Sequence, residues 1–231
     1  MKKTVPIKKY LLFTFGVPFA VTVVLTVLFC LLEKNYYYLP FSLDFLIQLS
    51  YDALYFFLFA ILFFNLGMAA HAIFLCKAKD AVISIVFSAI SAAIFPVIAY
   101  LIRAIILFES SSDEEMLDYM YSDFLCAAEN AIRLAVAVLL IFAVKFFCVH
   151  KNIPLTPKNR SPFGKNPTRI TFLIYYSLWL TLSVITFLFS GEKNVLSLLY
   201  EAFLAVAGYF LSFCGFDFCD KNSKIIDNRH R

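Results

Sequence analysis

The stretch ALYFFLFAILFFNLGMAAHAIFLC, residues 53–76, contains no aspartate, glutamate, lysine or arginine. As a helix rising about 1.5 Å per residue it extends roughly 36 Å, more than the hydrocarbon core of a bilayer at about 30 Å. Backbone groups in lipid must be satisfied within the protein, which leaves helices or a closed barrel. The run is continuous and lacks the two-residue alternation of a barrel strand, so it reads as a helix. Five other stretches share this character: 10–32, 81–108, 125–149, 170–190 and 195–218. With 62% apolar, 18% aromatic and 16% charged residues, the 231-residue chain lies outside the composition of soluble domains. The expected fold is all-α, a polytopic integral membrane protein built as one bundle of six transmembrane helices. The first run is too long for the apolar part of a cleaved signal and reads as a retained span.

The charges between the runs alternate in kind. Lys2, Lys3, Lys8 and Lys9 precede the first run, and Lys77 and Lys79 follow the second. Lys145, Lys151, Lys158, Arg160, Lys165 and Arg169 surround the fourth connection; Lys221, Lys224, Arg229 and Arg231 end the chain. These are sixteen of the twenty basic residues, all on one side, while Lys34 and Lys193 fall on the other. By the positive-inside rule both the N-terminus and the C-terminus are expected in the cytoplasm. Small size, compact loops and a Lys/Asn/Ile/Phe-rich chain indicate a multi-pass protein of a bacterial-type plasma (inner) membrane. The net charge of +4 follows from this topology and from attraction to an anionic inner leaflet, so nucleic acid is not an expected partner.

The connections differ. In the first outer one, Ser42 is expected to cap a short interfacial helix with Phe45, Leu46 and Leu49 facing lipid. Residues 109–124 form an acidic outer loop. Residues 150–169 form a basic inner loop with four prolines, a candidate docking surface for a cytoplasmic or membrane partner subunit. Pro96, near the middle of the longest run, is a candidate kink. The many phenylalanines and tyrosines suit lipid-facing surfaces and interfacial belts.

Four ionisable residues fall within the expected outer half of the runs: Arg103, Glu129, Arg133 and Glu201. Charges in hydrocarbon are costly, about 2.5–3.5 kcal/mol each near the bilayer centre, so these four should face one another or water. Glu129 and Arg133 are four apart and share a helix face. Glu201, Ala205, Gly208, Ser212 and Gly215 form one stripe of mostly small residues, and Ser84, Ser88, Ala92, Ala99 and Arg103 lie close to another. Small faces allow close approach of membrane helices. The third and sixth helices are therefore expected to meet, bringing Arg103 and Glu201 into one interior. These four residues are the candidate ligand-binding set, with arginines for an anionic group or Glu201 for a proton or cation.

No catalytic motif is present, and the three histidines fall at or beyond the inner surface, away from these carboxylates, so an enzyme is not expected. The six cysteines contain no Cys-x-x-Cys pair; His71 to Cys76 and Cys214 to Cys219 are five-residue steps that point apart on a helix. Neither a metal nor any cofactor is expected. The leading functional expectation is a small-solute transporter or solute-binding membrane subunit with a polar pocket in the outer leaflet. The competing expectation is a membrane scaffold or accessory protein whose intramembrane charges are structural ion pairs.

Overall fold

A computed structural model describes the backbone of residues 7–32, 43–75, 78–106, 113–153, 167–189 and 195–227. Side chains at some positions within these segments, Arg103 and Pro96 among them, lie outside the described residues. The described residues form six helices and no strand: α1 (Ile7–Leu32), α2 (Leu43–Phe74), α3 (Ala78–Ile106), α4 (Asp113–His150), α5 (Pro167–Phe189) and α6 (Val195–Asp227). Among the described residues, four segments are long and apolar enough to cross a membrane: Leu49–Phe74, Ala127–His150, Pro167–Phe189 and Leu198–Asp220. In α1 the stretch Phe15–Val27 is apolar but shorter.

Two expected connections are helical instead. Residues 43–49 are not a separate interfacial helix; they are the first turns of α2, whose 32 residues run without a break. The acidic stretch expected as a loop over 109–124 begins α4 at Asp113, where carboxylates favour a helix N-terminus. Most of the basic connection 150–169 lies outside the described residues. Its first residues close α4: Ile153 N–H donates to Cys148 O at 2.8 Å and Asn152 N–H to Val149 O at 3.2 Å. Asn152 takes the left-handed conformation, φ 52°, which asparagine tolerates at this end position.

The stretch that identifies a membrane protein becomes the core of the bundle. Residues 59–74 of α2 are buried on every face, as an all-round apolar helix requires. Phe56, Phe63 and Phe64 are almost fully enclosed, so these phenylalanines pack inside and do not face lipid. Helices α1, α3, α4 and α6 pack against α2. The two small-residue stripes do allow close approach, and among the described residues both have positions that close on α2. On α3, Ser84, Ser88 and Ala92 are buried, and Ser88 Oγ lies 3.1 Å from Leu62 O. On α6, a Cβ at Gly215 would stand 2.0 Å from Phe64 O, and one at Gly67 of α2 would stand 1.9 Å from Ser212 O. These glycines let the α2 and α6 backbones touch. The expected direct meeting of the third and sixth helices is thus replaced by a helix that both embrace.

Helices α4 and α5 complete the bundle. On α4, Asn130, Leu134, Ala137, Ile141 and Cys148 are buried along one stripe. Lys145 Nζ donates to Ile73 O at 2.6 Å, placing a cation on the C-terminal carbonyls of α2. Helix α5 buries Thr168, Phe172, Tyr175, Tyr176 and Trp179, and no residue beyond Trp179. Its C-terminal half leaves the core, and that departure makes room for the site.

Candidate functional site

Glu129 and Arg133 of α4 and Glu201 of α6 converge. Glu129 Oε1 accepts from Arg133 Nη2, the i, i+4 pair legible in the sequence. The same nitrogen lies 3.2 Å from Glu201 Oε2, a contact between residues 68 apart in the chain. The Arg133 guanidinium sits over the Trp179 ring, its Cζ 4.0 Å from the ring centre, and Trp179 Nε1–H donates to Glu201 Oε2 at 2.8 Å. One α5 side chain therefore orders both partners: its face holds the cation and its edge holds the carboxylate. Tyr175 OH donates to Arg133 O at 2.9 Å and fixes α5 to the α4 backbone.

Trp179 is itself anchored by the core. Its ring centre lies 5.6 Å from Phe63 and 6.3 Å from Phe59 of α2, and 5.9 Å from Tyr176. Tyr176 OH pairs with Ser212 Oγ at 2.8 Å, and Ser212 Oγ donates to Phe63 O at 3.1 Å. The Tyr176 hydroxyl must then supply the proton of the first contact. Helices α2, α5 and α6 are tied at the level just inside the charges.

Beside the charges lies a cavity of about 550 Å³. Its polar wall is Glu129, Arg133 and Glu201, with Ser183 and Thr186 of α5. Its apolar wall includes Ile132 and Val136 of α4 and Leu178 and Leu182 of α5. The α5 positions 175, 178, 179, 182, 183, 186 and 187 all line it, the pattern of a single helix face.

Of the four residues expected from sequence, three meet here, and the Arg103 side chain lies outside the described residues. Sequence reasoning did not name Tyr175, Trp179, Ser183 or Thr186. A signal existed: they recur at 4, 4 and 3 residues in an apolar helix and include the only tryptophan of the chain. They carry no charge, so a search for intramembrane ionisable groups passed over them.

Further polar residues lie at the opposite end of the bundle, where α5 begins. Arg169 was expected in a loop but lies buried in the first turn of α5, with Cζ 5.2 Å from the Phe213 ring centre and Asp217 near enough to act on it. His71 packs edge-on against Phe216 at 5.1 Å. Of the cysteines, Cys148, Cys214 and Cys219 are in no disulfide among the described residues, while the side chains of Cys30, Cys76 and Cys126 lie outside them.

No protein-family model matches the chain, and neither a curated protein nor a solved structure matches it at a significant level. The fold defines an integral membrane protein of the helical-bundle class.

Proposed function

We propose that the protein is a six-span membrane protein, with both termini cytoplasmic, that binds a small cationic solute in the pocket between α4, α5 and α6. It acts as a transporter or as the solute-binding subunit of one, by binding and not by catalysis. One observation carries the reading. Arg133 is only 12% exposed and is already held by two carboxylates and an indole face, so among the described residues the assembly has one negative charge in excess beside an open cavity. An incoming cation meets Glu129, whose side chain is 58% exposed, together with aromatic surface. An incoming anion meets two carboxylates and a guanidinium that is already engaged. The pocket volume falls within the range of about 300–1,000 Å³ usual for small-molecule sites.

The topology rests on the sixteen basic residues of the inner connections and termini. It puts Glu129, Thr186 and Glu201 in the outer half of the membrane. The connection 150–169 is then the surface open to a cytoplasmic partner subunit.

A scaffold role is favoured by one observation, the full engagement of Arg133, which also suits a structural ion pair. Hydration separates the two. With Cys30 and Cys126 replaced by alanine, Thr186→Cys should react with a membrane-impermeant thiol reagent added from outside, and a small organic ammonium ion should slow the reaction. A thiol that resists the reagent from outside refutes the outward-facing pocket and leaves the scaffold.

A further inference from the structure

The pocket is also lined by apolar side chains that are themselves exposed. Ile132, Val136, Leu178 and Leu182 line the cavity, yet they are 64%, 45%, 49% and 62% exposed. In a membrane protein, exposed leucine, isoleucine and valine on spanning helices face acyl chains. In the topology proposed above, this exposed apolar strip between α4 and the later half of α5 faces the bilayer. It follows from the burial of α5 ending at Trp179.

Polar and apolar residues both line the cavity along the helices, Phe187 and Leu198 included. On α4, Glu129 comes first, then Ile132 one turn further and Val136 two turns further, roughly 10 Å from the carboxylate along the axis. On α5 the polar Ser183 and Thr186 give way to Leu182 and Leu178 in the opposite chain direction, as antiparallel neighbours require. The charged residues Glu129, Arg133 and Glu201 thus share the cavity with an apolar slot formed by the exposed Ile132, Val136, Leu178 and Leu182. A fully hydrated solute needs no such slot. A molecule with a cationic head and one alkyl chain fits both parts: the head beside Glu129 and the indole, the chain in the slot.

We propose that the ligand is a single-chain cationic amphiphile, an alkylammonium-type molecule, that enters laterally from the bilayer between α4 and α5. This rests on the reading of the pocket as a cation site and narrows it to a class of ligand that partitions into lipid before it binds.

Trp179, the only tryptophan, reports on the site without labelling. The full-length protein is reconstituted in phosphatidylcholine vesicles, and Trp179 emission is followed against decylammonium brominated on its chain, a quencher that acts on contact. The brominated alcohol of the same chain length serves as the neutral control. The expected result is saturable quenching by the ammonium compound and only weak, linear quenching by the alcohol. Glu129→Gln should weaken the saturable phase by roughly fivefold, the size of one partly exposed charge contact. Val136→Phe, which fills the slot at a half-exposed position away from the charges, should abolish it. Equal, non-saturating quenching by both compounds overturns the proposal. If butylammonium, which has no chain to fill the slot, displaces the quencher as well as unbrominated decylammonium does, lateral amphiphile entry is refuted while the cation site stands. Saturable quenching that Glu129→Gln leaves unchanged refutes the charge-directed site itself.

Discussion

The Arg133 guanidinium and the Glu201 carboxylate are joined through Trp179, whose ring face lies 4.0 Å from the first and whose N–H lies 2.8 Å from the second. The charges of α4 and α6 are thus oriented by a neutral residue of α5 that is held by α2 aromatics. The site is held on its core side by these ring contacts.

Replacing Trp179 by phenylalanine keeps most of the packing but removes the donor to Glu201 and weakens the stacking on Arg133. A hydrogen bond to a charged group contributes about 1.5–3 kcal/mol, so Trp179→Phe should lower stability by roughly 1–2 kcal/mol after relaxation. Unfolding in mixed detergent micelles, followed by circular dichroism, measures this directly.

The two carboxylates should not be equivalent. Glu129 is 58% exposed and Glu201 26% exposed at the side chain. An exposed i, i+4 pair contributes about 0.3–0.5 kcal/mol, so Glu129→Gln should be close to neutral for stability. Glu201→Gln leaves the α4 charge with a weaker partner and the indole N–H with a neutral one, and should cost roughly 1–3 kcal/mol. The same micelle titration on both variants checks the order.

Arg133→Gln should be the most damaging of the three, by roughly 2–4 kcal/mol, because it leaves two carboxylates facing each other without a cation. The double variant Arg133→Gln with Glu201→Gln should recover part of the loss. A double-mutant cycle should give an interaction energy of about 1–3 kcal/mol.

Gly67 and Gly215 test the seam between α2 and α6. A methyl group at either would meet a carbonyl oxygen at about 2 Å, and backbone cannot yield as a side-chain tip can. Gly215→Ala should cost roughly 1–3 kcal/mol or more through forced separation of the helices. Gly16→Ala is the control: nothing lies within 4 Å of its added carbon, and alanine favours the helix, so its effect should lie within about 0.5 kcal/mol of zero or be stabilising.

Much of this structure was legible in the sequence because lipid imposes few solutions. The apolar runs located all six helices, and the small-residue stripe from Ala205 to Gly215 correctly marked a face of close approach. The partner of that stripe was not legible. Helix α2 shows no apolar face because every face is buried, so a periodicity argument has nothing to say about which neighbours it meets. The i, i+4 spacing of Glu129 and Arg133 announced their pairing, and the cost of charges in lipid brought Glu201 to them. What escaped was the neutral part of the site. Trp179 orders the charges and Ser183 and Thr186 extend the polar wall, but neither the cost of burying charge nor motif chemistry singles out such residues. Arg169 escaped for a related reason: the inner-side basic residues look alike in sequence, and only packing shows which of them is buried.

The most direct test of the cation site is thermal unfolding of the purified protein against size-matched organic ammonium and carboxylate solutes, with wild type beside Glu201→Gln and Arg133→Gln. An ammonium solute at about 100 times its dissociation constant should stabilise wild type by about 2.7 kcal/mol. That stabilisation should disappear in Glu201→Gln, while carboxylates have no effect on wild type. Stabilisation by carboxylates with ammonium solutes silent would contradict the account. So would the absence of any stabilising ammonium solute when both variants are strongly destabilised, a result that would leave the charges as a structural lock.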